Sequence, residues 1–417
     1  MLWSLNQFWT ILLMIPLVSA YSFCLDLYIP LLPTIQTALE VSRSDIQLTN
    51  SLFMLFCGVG QLIFGPLSDR LGRLVVLFSS LILSLIANLI CMHTMQYNLF
   101  LLGKVLQAIG ACGTYLSCFA TVRDLYPNPT HCTKMFSYLN SANATSAIIA
   151  PTIGTQLNHY FGWQSIFFVL ALYALFSLLT CGLYYNETVP RKTSKKKQSV
   201  IQQYWSVLTH INYQVYTLPA ALGLSSFFSY YSISPYLYQQ TFGLSKEIFS
   251  VFFGSCGLTF FISSCACGQI VHRIGILRTL SFGLICHMIG CIGIIISFTL
   301  FNQPSLLIMH SSILLLIWGS ALMVSSGIGG TMAPFKTIAG SAFALISAYK
   351  FMMCYILGEL SMFLYNNTSI PLGILLFSIN LCASLVVFLF HKNLTQTPHD
   401  AQAKLSEEMV QTIDNIL

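Results

Sequence analysis

Apolar runs of about twenty residues recur from one end of this chain to the other, separated by short polar breaks. They lie at residues 8–33, 46–66, 74–93, 98–121, 133–157 and 163–184, then at 212–240, 248–270, 279–301, 305–327, 339–364 and 370–390. A helix needs about 20 mostly apolar residues to cross a bilayer, so the pattern predicts an all-α membrane protein with twelve transmembrane helices. Between the sixth and seventh runs stands the hydrophilic stretch NETVPRKTSKKKQSVIQQYWSVLTH. The expected organisation is a six-helix half over residues 1–186, a basic linker over 187–210, a second six-helix half over 211–392 and a polar tail over 393–417. In that tail Leu405, Met409 and Ile413 recur at helical spacing.

The break at residues 65–73, GPLSDRLGR, carries two arginines and an aspartate between two apolar runs. Gly65 and Pro66 loosen the end of the first run, Gly72 permits close backbone approach, and Asp69 can accept hydrogen bonds at a helix N-terminus. A shift of 203 residues places Gly65, Arg70 and Gly72 on Gly268, Arg273 and Gly275, and Ser42-Arg43 on Ser245-Lys246. The chain is therefore read as an internal duplication, two pseudo-symmetric halves of six spans. Arg123-Asp124 ends the fourth run, where Asp124 is placed to pair with Arg70 or Arg73. Asp69, Arg70, Arg73 and Asp124, with Gly65 and Gly72, form a candidate conformational latch.

Composition agrees with the pattern: 56% of residues are hydrophobic and only 7% charged. Fourteen of the eighteen Lys and Arg residues fall in breaks on one side if both termini are cytoplasmic, so the net charge of +6 reads as topology. Binding of nucleic acid would need those charges gathered on one soluble face. The 14 cysteines sit mostly inside apolar runs without paired spacing, which implies neither a disulfide framework nor a metal site. The first run lacks a basic leader and cleavage site and reads as a retained helix.

Charges inside the runs are the candidate chemistry. Asp26 lies in LDLYIPLLP, about 10 Å from one membrane surface counted back from Pro33, and an intramembrane acid is a functional group by default. Lys104 lies at a similar depth in the fourth run. If the two helices are adjacent, the lysine pairs with Asp26 until protonation frees it. Gln107 follows one turn later on the same face. Helix 7, SSFFSYYSISPYLYQQ, is dense in rings and hydroxyls and suits a pocket for flat, partly apolar molecules. Tyr28, Gln107, Phe227, Tyr230, Tyr231 and Lys350 are the expected substrate cavity. Glu359 lies nine residues beyond Lys350, on the opposite helix face, so Lys350 needs water, backbone carbonyls or a negative group on the substrate. Two intramembrane lysines would bias such a cavity toward zwitterionic or anionic amphipaths.

GPLSDRLGR, LDLYIPLLP, VRDLY and APFKTIAGSAFAL together resemble the major facilitator superfamily and, within it, the Bcr/CflA drug:proton antiporters of bacterial inner membranes. The resemblance covers essentially the whole chain. It implies the major facilitator fold, export of a small amphipathic molecule in exchange for protons, coupling through Asp26 and Lys104, and an antiporter helix bend at Pro151 and Gly154. Lys104 stands where the family has arginine, Ala150 replaces the glycine before the proline, and Gly154-Thr155 replaces two glycines. Proton-coupled uptake and a receptor without turnover are the alternatives. No Walker loop or catalytic constellation points to an ATP-driven pump or an enzyme. The expected partners are the substrate, protons and the lipid bilayer, with no cofactor and a monomeric chain.

Overall fold

The computed structural model describes residues 7–126, 129–184, 187, 200–300, 304–332, 335 and 339–390. Within these a few side chains, Asp69 among them, lie outside the described set. The helices are α1 (Gln7–Asp26), α2 (Leu32–Ala38), α3 (Arg43–Leu71), α4 (Arg73–His93), α5 (Tyr97–Leu125), α6 (Pro129–Phe161), α7 (Gln164–Tyr184), α8 (Val200–Leu208), α9 (Ile211–Tyr236), α10 (Lys246–Ile274), α11 (Ile276–Thr299), α12 (Leu306–Met332), α13 (Ala339–Phe363) and α14 (Ile370–Leu389). Among the described residues ten spans are long and apolar enough to cross a membrane. The two long helices outside that set are α6, 33 residues, and α9, 26 residues. The polarity of α9 has a structural cause. Ser225, Ser226, Ser229, Ser232 and Ser234 are all buried, so this helix spends its hydroxyls inside the bundle.

Large apolar side chains point outward instead on α4, α7, α11 and α14, among them Ile82, Leu179, Ile289 and Leu385. Exposed apolar surface on this scale marks contact with lipid. The helices meet through small residues, as close packing in a membrane requires. At Gly110 of α5 a Cβ would stand 2.6 Å from the Ser80 carbonyl of α4, and at Gly290 of α11 it would stand 2.7 Å from Leu316 of α12.

Two helices 203 residues apart match in the backbone. Both α3 and α10 run 29 residues, begin at a serine N-cap (Ser42, Ser245) whose side chain accepts from the first turn, and end at a glycine with positive φ. Gly72 has φ 100° and ψ 154°, and Gly275 has φ 86° and ψ 163°, a region open essentially to glycine alone. The packing is reciprocal as well, since α3 lies on α13 and α10 lies on α6. The expected loosening at Gly65-Pro66 does not occur. Pro66 is accommodated inside α3, which continues to Leu71, and a Cβ on Gly65 would meet nothing within 4 Å. The turn is Gly72 alone. Residues 187–210, expected as a hydrophilic linker, contain α8, and the tail over 393–417 lies outside the described residues.

Candidate functional site

The site begins where α1 breaks. Pro30 has no N–H to offer the Asp26 carbonyl, so the helix stops at Asp26 and the chain passes through a 3-10 turn, Ile29–Leu31, into α2. The Tyr28 N–H bonds to Leu25 O at 3.1 Å, three residues back. That leaves the Cys24 carbonyl without its helical partner, and Lys104 Nζ donates to it at 3.3 Å.

Lys104 is fully buried, and its other partners are neutral. It donates to Gln107 Oε1 at 2.8 Å and lies over the rings of Tyr28 and Phe53, 4.4 and 5.2 Å from their centroids. Gln107 Nε2 donates to Asn88 Oδ1 at 2.7 Å, and Asn88 Nδ2 to Ser84 O at 2.8 Å. A continuous polar chain thus joins α1, α5 and α4 through a cation. The expected ion pair between Lys104 and Asp26 does not form. Equal depth brings the two helices together, but the carbonyl freed at the break and the aromatic faces of Tyr28 and Phe53 take the ammonium instead.

Asp26, 4% exposed, turns to hydroxyls. Ser146 Oγ of α6 donates to Oδ2 at 2.8 Å and Tyr231 OH of α9 to Oδ1 at 3.2 Å. A carboxyl on the first helix is therefore tied to the ninth, on the other side of the duplication. The segment where a bend is expected adds a second tie. Gly154 allows α6 to press against the Leu27 carbonyl, where a Cβ would not fit. Pro151 lies within α6. Thr155, standing for the family's second glycine, shares a 2.7 Å hydrogen bond with Ser250 of α10.

At the same end of the bundle Arg43 donates to Asn367 Oδ1 at 2.8 Å and to Gln240 Oε1 at 2.5 Å. Gln239 Nε2 reaches Pro30 O at 3.1 Å, and Gln47 Nε2 reaches Ser232 Oγ at 2.6 Å. Residues from opposite sides of the duplication close this end. In the sequence Arg43 stood out only through the match of Ser42-Arg43 to Ser245-Lys246.

The six residues expected to line a cavity are all buried in this conformation. Tyr28 shares a 2.9 Å hydrogen bond with Thr49, and Tyr230 packs on Phe253 and Tyr238. Phe227 stacks on Phe260, 5.3 Å between centroids, and meets Tyr231 edge-on at 4.5 Å. A second aromatic group, missed in the sequence, joins Tyr21 to Phe53, Tyr115 and Phe351, and Tyr115 through Phe119 to Phe343. Its rings come from α1, α3, α5 and α13 and bridge the two sides of the duplication.

The latch residues meet in part. Arg73, 5% exposed, forms a 2.9 Å ion pair with Asp124 through Nε and donates to Ser68 Oγ at 2.5 Å through Nη1. Arg70 is exposed and takes no part in the pair. The Asp69 side chain, expected to cap a helix start, lies outside the described residues, and the start of α4 is capped by another acid. Glu187 accepts from the Arg73 N–H at 3.0 Å with Oε1 and from the Leu74 N–H at 3.2 Å with Oε2. Glycine at the N-cap has no side chain to offer those donors, so the carboxylate arrives from beyond α7. The signal available in the sequence was an acid directly after the sixth apolar run, on the membrane side that also holds the Gly72 turn.

A helical bundle with an exposed apolar surface and a broken first helix bearing a buried carboxyl defines a polytopic membrane protein, and its relatives indicate a transporter rather than an enzyme. The Major Facilitator Superfamily model matches residues 14–359, and the chain belongs to that superfamily. It is 30% identical over 347 residues to a chloramphenicol resistance protein of Pseudomonas aeruginosa, covering 82% of this chain and 81% of the relative. Multidrug resistance protein D of Escherichia coli K12 is 24% identical, with 94% and 97% covered. In fold the chain is similar to the human organic anion transporter MFSD10 (TETRAN), with TM-score 0.72, 15% identity, and coverage of 92% of this chain and 100% of that one. It is also similar to a POT family transporter in complex with a thioalcohol-conjugated peptide, with TM-score 0.75, 13% identity, and coverage of 92% and 96%.

Proposed function

We propose that this chain exports small amphipathic molecules in exchange for protons. Twelve spans in two six-helix halves would rock about a central cavity, with both termini and the basic linker in the cytoplasm of a bacterial inner membrane. The resistance proteins among its relatives support the direction and the substrate class. One observation carries the coupling: the Asp26 carboxyl, buried in the first helix, accepts hydroxyls from α6 and, across the duplication, from α9.

As a carboxylate, Asp26 accepts both O–H groups and draws α9 toward α1. A proton placed on either oxygen turns an acceptor into a donor, so Ser146 or Tyr231 must reverse its hydroxyl or let go. Protonation thereby changes a contact between the halves, which is what biases one conformation over another. Asp26→Asn keeps the shape and cannot titrate. In proteoliposomes under an imposed pH gradient, the variant should bind chloramphenicol within about threefold of wild type yet accumulate none of it. Accumulation at the wild-type rate by Asp26→Asn would remove the carboxyl from the coupling path.

A further inference from the structure

The two intramembrane lysines divide once their surroundings are compared. Lys104 is satisfied by a carbonyl, an amide and two aromatic faces. Lys350 on α13 is 92% buried, being 8% exposed, and has no hydrogen-bond or ion-pair partner among the described residues. Cys354, one turn on, interacts electrostatically with both Lys350 and Tyr21. Phe351, the next residue on α13, packs on Tyr21 at 5.8 Å between ring centroids, so Lys350 adjoins along the helix the aromatic group of Tyr21, Tyr115 and Phe351.

A buried ammonium without acceptors is costly and is kept where something else completes it. Acids nearby are already committed or turned away. Asp26 is held by Ser146 and Tyr231, and Glu359 stands on the opposite face of α13.

The geometry points to an anion subsite: we infer that Lys350 binds a negatively charged group, a carboxylate or sulfonate, of an aromatic substrate whose ring lies against Tyr21, Tyr115 and Phe351. This deepens the export reading and rests on it for the claim that the bound molecule is cargo. A flat apolar body with one anionic group matches both parts, since rings supply contact area and the lysine supplies a charge-assisted hydrogen bond.

Three probes share one aromatic body and differ in charge: 2-naphthalenesulfonate, naphthalene-2-sulfonamide and 2-naphthyltrimethylammonium. Equilibrium dialysis against purified protein in nanodiscs should show the sulfonate bound at least about tenfold more tightly than the ammonium, the scale of a charge-assisted bond. Lys350→Gln should lose about tenfold on the sulfonate and less than about twofold on the sulfonamide, while Lys350→Arg restores the sulfonate. Equal binding of the three probes by wild type, or equal loss of all three in Lys350→Gln, overturns the subsite. Movement of the same probes in proteoliposomes under a pH gradient separates the two readings. Proton-driven movement without anion preference sinks the subsite alone, whereas anion-selective binding with no proton-driven movement of any probe sustains the subsite and sinks the export reading.

Discussion

The turn at Gly72 and the turn at Gly275 have nearly the same backbone and opposite chemistry. Each ends a 29-residue helix, each glycine takes a conformation closed to other residues, and each starts the next helix without a side-chain cap of its own. Around Gly72, Arg73 is buried against Asp124 and Ser68, and Glu187 fills the first two free N–H groups of α4. At the positions 203 residues on, Ile276 stands for Arg73 and Val271 for Ser68, and α12, which ends at Met332 where α5 ends at Leu125, carries no acidic residue. A Cβ on Gly275 would meet nothing within 4 Å. The two turns share the path of the chain, and among the described residues only the turn at Gly72 carries an ion pair and an acid on the helix start. Backbone geometry is thus a requirement of the fold, and the charges are an addition that acts on one half.

The largest effect expected from breaking this comparison is at Arg73. Arg73→Ala leaves the partly buried Asp124 with only the exposed Arg123, 3.8 Å away, and leaves Ser68 without its donor, and should destabilise the protein by about 3 kcal/mol. Ile276→Ala, at the matching half-buried position, should cost about 1 kcal/mol. Reversible unfolding in bicelles measures both. The double variant Arg73→Ala, Asp124→Ala should be less destabilised than Arg73→Ala alone, because no uncompensated carboxylate remains. Additive losses would show that the two side chains act separately.

Next in size are the glycines. Gly72→Ala and Gly275→Ala each force alanine into a glycine-only region at a cost of about 1–3 kcal/mol. Gly72→Ala should exceed Gly275→Ala by about 0.5–1 kcal/mol, because its Cβ also displaces the Glu187 carboxylate from the helix start. Equal losses would mean that the acid contributes nothing beyond filling space.

What the sequence displayed, and what it withheld, follows from the same distinction. Apolar length locates most of the helices along the chain and the glycine in a charged break marked the turn at Gly72, whereas proline alone was no guide, since Pro30 ends α1 and Pro66 lies inside α3. Depth was readable too, and it brought Asp26 and Lys104 to one level. Rotation about the axis was not, and rotation decides partners: Lys104 turns to Cys24 and Gln107, while Asp26 turns to α6 and α9. Contacts between segments far apart in sequence were the least readable. Arg43 with Asn367 and Glu187 with Leu74 join residues 324 and 113 apart, and nothing local in either stretch announces the other. Of the two arginines weighed as partners of Asp124, Arg73 carries the ion pair in this conformation and Arg70 is exposed, a choice that rotation about the helix axis decides.

The smallest effect tests whether Glu187 acts by charge or by hydrogen bonding alone. Its two oxygens accept from consecutive N–H groups at the start of α4, where the aligned peptide dipoles present partial positive charge. Glu187→Gln retains one acceptor oxygen and removes the charge, so it should cost about 0.5–1 kcal/mol at low salt. The residue is exposed, and screening should shrink that loss as ionic strength rises toward 1 M, where the Debye length is about 3 Å. A loss that stays constant across this salt range would show that the second hydrogen bond, not the charge, holds the carboxylate there. The matching gain-of-function is sharper still. α11 begins at Gly275 with no acid against its free N–H groups, so supplying one there should stabilise the second turn by the same salt-dependent amount. If the first turn responds to charge and the second does not, the asymmetry lies in the geometry around the helix start rather than in the presence of the acid.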